Sequence, residues 1–132
     1  MIFHSFANQE ERENFGGTAF MELQYCTLRP ETEIKKIVGV GAHGNWMDSS
    51  LYIYLDDIES FCLNYGDIFY GGTYNNLHKG RLDINGINYY TPAQAKEILL
   101  KIEGKKPLDY EVISEWLKNG KQYNGFFYVL GV

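Results

Sequence analysis

Six residues in the first third of the chain, Gly39-Val40-Gly41-Ala42-His43-Gly44, have the GxGxxG spacing that cradles a dinucleotide pyrophosphate. That chemistry needs a strand before the glycines and a helix after them, because the phosphate sits on the helix's free N–H groups and positive dipole end. Ile34-Lys35-Lys36-Ile37-Val38-Gly39-Val40 is β-branched enough to serve as the strand. Asn45-Trp46-Met47-Asp48-Ser49-Ser50 carries no helical stripe and runs into a second strand-like stretch over residues 50–55. The glycines are therefore read as a loop between two antiparallel strands, displaying His43, Asn45, Trp46 and Asp48. Asp56 or Asp57 stands about 20 positions on, where a ribose-binding acid belongs, but acids are frequent here and the helix is missing.

Other reactive residues are scattered. His4, His43 and His78 lie in three separate segments with no metal-ligand spacing. Cys26 and Cys62 are far apart in a sequence with no secretion signal, which predicts free thiols that pack as small hydrophobes. Either cysteine could meet a histidine in space, Cys62 with His78 or Cys26 with His43, and form a nucleophile pair. Asp56-Asp57-x-Glu59 puts two carboxylates on one side of a helix start, half of an acid/base or Mg²⁺ site, though acids in a first turn also simply complement the helix dipole. No cofactor or metal site is expected. Lys105, Lys106, Lys118 and Lys121 lack the interleaved aromatics of a single-strand nucleic-acid binder and read as a solvated face.

The elements that must position these residues follow from periodicity and punctuation. A polar run over 9–14 suggests a helix, and 18–28 has strand composition closed by Pro30. Strands are expected over 34–40 and 50–55. Ile58, Phe61, Cys62 and Tyr65 make a helical stripe with Asp56 as N-cap and Gly66 beyond its end. Residues 66–80 are irregular and glycine-rich, with a short strand at 68–70. Asn85-Gly86 signals a hairpin with arms 81–84 and 87–90. Thr91-Pro92-Ala93-Gln94 opens a helix with a capping box, its stripe Ala95, Ile98, Leu99 and Ile102, its stop Gly104. Asp109 caps a second helix, stapled by Leu108 and Ile113, with Val112, Ile113, Trp116 and Leu117 inside and Gly120 as the stop. Phe126-Phe127-Tyr128-Val129-Leu130 is apolar throughout and predicts a central strand.

Composition narrows the class. At 132 residues, 45% hydrophobic and 22% charged, the sequence fits one globular domain over 1–132. No stretch approaches a membrane span or signal peptide, so a cytoplasmic protein with no membrane partner is expected. Charge is one-sided: residues 1–67 hold eleven acids and four bases, residues 68–132 six acids and eight bases. An acidic half repels nucleic acid and attracts a basic partner. Eleven tyrosines, eight phenylalanines and two tryptophans exceed what a small core needs, and tyrosine favours interfaces. Acids that steer, beside rings that supply desolvated contact, nominate a partner-binding set: Trp46, Asp48, Tyr52, Tyr54, Asp56, Asp57, Glu59, Asp67, Tyr70 and Tyr74.

The phrases Asn64-Tyr65-Gly66-Asp67-Ile68-Phe69-Tyr70-Gly71-Gly72, Asp83-Ile84-Asn85-Gly86-Ile87-Asn88-Tyr89-Tyr90 and Tyr123-Asn124-Gly125-Phe126-Phe127-Tyr128-Val129-Leu130-Gly131-Val132 resemble the small cytoplasmic immunity proteins of bacterial contact-dependent inhibition and other polymorphic toxin systems. The resemblance covers about half the chain and includes no catalytic motif. It implies a non-enzymatic protein that binds one cognate toxin C-terminal domain, often a basic nuclease, and covers its active site or substrate surface. It supplies no contact residues.

The expected architecture is α+β: a mainly antiparallel sheet of five to seven strands, two C-terminal helices packed on one face, and a short additional helix near an edge. The leading functional expectation is toxin neutralisation. The alternatives are a small-molecule enzyme or ligand-binding domain using the 66–80 loop with His43 or His78, and an oligomeric interaction module.

Overall fold

The computed structural model describes residues 1–39, 45–74, 76–82 and 86–131, with the backbone alone for 127–131. Its centre is a seven-stranded antiparallel sheet: β1 (Phe3–His4), β2 (Phe20–Tyr25), β3 (Leu51–Tyr54), β4 (Gly72–Tyr74), β5 (Lys79–Gly80), β6 (Ile87–Tyr90) and β7 (Phe126–Gly131). In space they run β1-β3-β2-β7-β6-β4-β5. The expected α+β class holds, and β7 is central, flanked by β2 and β6.

Three helices cover one face: α3 (Ile58–Tyr65), α4 (Pro92–Lys105) and α5 (Tyr110–Asn119). Alternation along the strands sends Met21, Leu23 and Tyr25 of β2, and Leu51 and Ile53 of β3, into their core. There they meet Phe61 and Tyr65 of α3, Ile98 and Ile102 of α4, and Ile113, Trp116 and Leu117 of α5. Phe126 is a hub, 2% exposed, stacked on Tyr90 at 4.9 Å and edge-on to Trp116 at 5.7 Å. The short α3 lies near the β1 edge, its Phe61 and Tyr65 packed against Phe3 at 6.0 and 5.3 Å.

The opposite face carries α1 (Gln9–Gly16), α2 (Ile34–Ile37) and the 45–50 loop, over two smaller clusters. Phe6, Phe20 and Tyr52 form one; Cys26, Ile37, Val38 and Tyr89 form the other.

Several local expectations hold. Thr91 and Gln94 make the reciprocal capping box, with Pro92 at the first helical position. Ile98 and Ile102 are buried, and Gly120 caps α5. Others are corrected. Residues 34–37 are helical rather than extended, because Ile34, Ile37 and Val38 at i, i+3, i+4 give one apolar side that packs on Cys26 and Tyr89. β3 therefore pairs with β1 and β2, and the glycine stretch does not join two paired strands; residues 40–44 themselves, including His43, lie outside the described residues.

Leu55–Asp57 is a 3-10 turn, so α3 is capped at Asp57 and not Asp56, with no side-chain capping bond. Residues 68–70 form a turn, and the strand begins at Gly72. β6 pairs with β4 and β7, and Arg81 and Leu82 lie outside any strand; the Asn85-Gly86 hairpin expectation falls on 83–85, which lie outside the described residues. Helix α4 runs past Gly104 to Lys105, and Lys106 takes the left-handed conformation at φ 49. Asp109 precedes α5, but at φ 58 its carboxylate does not cap the helix; Oδ2 accepts the Ile2 N–H at 2.7 Å and ties the N-terminal segment to the helical layer. Leu108 is 54% exposed and makes no staple.

Candidate functional site

Half of the nominated residues stand on one segment, 55–70. Its inner stripe is set by the apolar spacing of Phe61 and Tyr65, with Tyr65 donating its hydroxyl to the Leu108 carbonyl at 2.6 Å. The outer side is what that stripe leaves over. Asp56, Glu59, Asp67 and Tyr70 are exposed there, with Leu55 at 39%, Leu63 at 81% and Tyr70 at 62%. Asp57 is half-buried at the same helix start. No Lys, Arg or His occurs between 55 and 70, so the large apolar side chains sit in an uncompensated acidic field. Sequence reasoning found the acids and Tyr70 but missed Leu55 and Leu63, which the i+4 step from Glu59 to Leu63 could have revealed.

Beside Leu55 the surface continues as rings. Tyr54 meets Phe15 edge-on at 5.7 Å, and Phe15, 51% exposed, lies 4.8 Å from the His4 ring. Burial lowers the His4 pKa, opposed by the nearby Asp57 carboxylate. Phe15 and His4 come from segments that sequence reading left without a role.

Trp46, Asp48 and Tyr52 belong to a different structure on the opposite face of the sheet. Tyr52 is wholly buried and offers no surface, a correction to its nomination as a contact. Its hydroxyl lies 2.6 Å from the Met47 carbonyl and 3.2 Å from Glu22 Oε2, and accepts from Gln9 Nε2 at 3.3 Å; burial raises its pKa to about 12. Glu22, 4% exposed, also accepts the Met47 N–H at 3.0 Å and Gln24 Nε2 at 3.1 Å. Gln24 in turn donates to the Asn45 carbonyl at 2.9 Å.

Gln9 links this group to Asp48 Oδ1 at 2.8 Å and to Arg12, whose Nε donates to Gln9 Oε1 at 2.7 Å. Arg12 is 3% exposed, donates to the Gly17 carbonyl, and lies 4.2 Å over the Trp46 ring. One face of Trp46 is thus already occupied by a cation. The chemical effect is positional: buried carboxylate and guanidinium pin the 45–50 loop and α1 to the sheet.

Tyr74 is remote. It stands on β4, four strand positions from β3, about 19 Å at the usual ~4.8 Å strand spacing. The ten nominees therefore do not make one surface. Tyr54 packs with Trp46 on the Phe6, Phe20 and Tyr52 cluster, while Asp56, Asp57, Glu59, Asp67 and Tyr70 stand together on the 55–70 segment.

Alternative chemistry gains little geometry. His78 is exposed, its N–H bonded to Asn76 Oδ1 at 3.0 Å. Both cysteines are free, and burial pushes both thiols up, away from the thiolate a nucleophile needs. Among the described residues no group of three His, Cys, Asp or Glu is placed to hold a metal ion, and no helix is long and apolar enough to cross a membrane. A cavity of about 350 Å³ opens between α4, α5 and the sheet, lined by neither histidine nor cysteine and away from the 66–80 loop. Comparison of the chain with protein-family models, curated proteins and solved structures finds no match.

Proposed function

We propose that this chain is an immunity protein that binds a basic toxin domain, a nuclease by preference, and neutralises it by covering its active site or substrate surface. The observation that carries the reading is the outer side of 55–70: Asp56, Glu59 and Asp67 alternate with Leu55, Leu63 and Tyr70, all exposed, on a segment without a single base. Leu55, Leu63 and Tyr70 fall on one short segment, whereas Leu77, Leu100 and Leu108 are exposed singly elsewhere. The acids steer a cationic partner and reject nucleic acid, while Leu63 and Tyr70 supply the desolvated contact. Asp57, half-buried at the same helix start, extends the acidic rim. A cytoplasmic location fits a protein that must meet a toxin after its entry.

The test begins with the neighbouring reading frame. A toxin domain encoded immediately upstream is produced with and without this chain, and binding and growth rescue are measured. The triple variant Asp56→Lys, Asp57→Lys, Glu59→Lys should lose roughly a hundredfold in affinity, as expected when several charge pairs are reversed. Leu63→Asp should weaken binding as well. Leu63→Asp should keep the thermal midpoint, its side chain being 81% exposed, whereas the triple variant also reverses the charge at a helix start and should lower the midpoint slightly. The absence of a toxin frame, or unchanged affinity of the triple variant, overturns the proposal.

A further inference from the structure

The cavity between the C-terminal helices and the sheet has a composition unlike the rest of this acidic chain. Among the described residues its only charged lining residues are Lys96 from α4 and Lys121 from the turn after α5, and no carboxylate lines it, although the net charge is −5. Both lysines are exposed, and neither is ion-paired among the described residues, whereas nearby Lys118 is 3.6 Å from Glu103. The first turn of α4 contains no acid, and its Pro92 lines the cavity, so the positive end of a 14-residue helix adds to the same field.

The wall beneath is flat and aromatic. Tyr25 stacks between Trp116 and Tyr123, at 4.2 Å and 7° on one side and 4.7 Å and 8° on the other. Gly120 keeps this geometry: a Cβ there would stand 2.4 Å from the Tyr25 ring. The Tyr25 hydroxyl is already committed to the Trp116 carbonyl at 2.7 Å, so the stack presents apolar surface rather than a free polar group. A volume of about 350 Å³ falls at the small end of ligand sites.

We propose that this cavity binds a small aromatic carboxylic acid, its ring against the apolar lining and its carboxylate between Lys96 and Lys121. Charge complementarity selects the anion, and the apolar, aromatic lining of Leu99, Trp116, Tyr123 and Phe126 selects the ring. This assignment is independent of the toxin-binding surface, which lies on the 55–70 segment.

The probe is 2-naphthoate, titrated into the isotope-labelled full chain and followed by amide NMR. Saturable binding is expected, with the largest shifts at the backbone N–H groups of Lys96, Gly120 and Gly125. The neutral 2-naphthamide should bind at least about tenfold more weakly, and the Lys96→Met, Lys121→Met double variant should lose roughly tenfold for naphthoate with an unchanged melting midpoint. No saturation below millimolar concentration, equal affinity for the amide, shifts centred elsewhere, or no effect of the double variant each overturns the proposal. Tighter binding of an acetylated peptide ending in phenylalanine also overturns it, by making the occupant a polypeptide C-terminus.

Discussion

The two faces of the sheet are built on different physics. Under α3, α4 and α5 the contacts are apolar and aromatic, with Phe3, Phe61, Ile102 and Ile113 showing no exposure. On the other face Arg12, Glu22 and Gln24 are buried to a similar degree, but each relies on hydrogen bonds for its place. Apolar contact tolerates small shifts, and its loss scales with volume. A buried ion tolerates none, because a missing partner leaves its desolvation unopposed. The helical face should therefore set global stability, and the polar face, together with the Trp116 indole N–H on the Ser49 carbonyl at 2.9 Å, should set whether α1 and the 45–50 loop stay docked.

The largest test of that division is Phe126→Ala. It empties the hub between Tyr90 and Trp116 and should cost about 3–5 kcal/mol in urea unfolding. A loss below about 1 kcal/mol would show that the helical layer repacks freely. Arg12→Met keeps most of the volume but removes the donors to Gln9 and the Gly17 carbonyl, and the cation over Trp46. It should cost about 1–3 kcal/mol, and hydrogen exchange should quicken at Met47 while β2 and β7 stay protected. Uniform quickening would erase the distinction between the faces.

Thr91→Ala removes one capping bond on the helical side, with an expected loss of about 1 kcal/mol.

The pH dependence divides the faces in another way. Tyr25 on the helical face and Tyr52 on the other are both raised to about 12 by burial, while an unfolded tyrosine ionises near about 10. The folded state holds these protons longer, so the stability they contribute is intact below about pH 10 and falls as pH rises toward 12. Tyrosinate absorbance and unfolding should then appear together. His4 acts with the opposite sign. Its folded pKa is lowered, so the unfolded state binds the proton first and stability falls as pH drops below about 6.5. His4→Phe should flatten that acid slope, and a slope that survives the substitution places the sensitive group elsewhere.

What could be read from the sequence was what local chemistry decides. The Thr91–Gln94 box, the α5 stripe and the central β7 needed only neighbouring residues. The 34–38 segment was misread because Ile, Ile and Val favour strands by composition while their i, i+3, i+4 spacing fits a helix, and packing on Cys26 and Tyr89 chose the spacing. Asp109 was recognised as a cap, yet its carboxylate serves Ile2, a partner no local rule reaches. For the candidate surface, nearness in sequence stood in for nearness in space. Along 55–70 one continuous segment carries Asp56, Glu59, Asp67 and Tyr70 exposed. Nearness in sequence failed at Tyr52, turned inward by strand alternation, and at Tyr74, carried across the sheet by the intervening strands.

The pairing of β2 with β7 matches Phe20 to Gly131 and Tyr25 to Phe126, a closure over roughly a hundred residues at the middle of the sheet. During synthesis β2 waits for its central neighbour until the whole intervening chain has left the ribosome. Phe20, Met21 and Leu23 stand without that neighbour in the interval, and so long a closure predicts slow folding for a chain of this size.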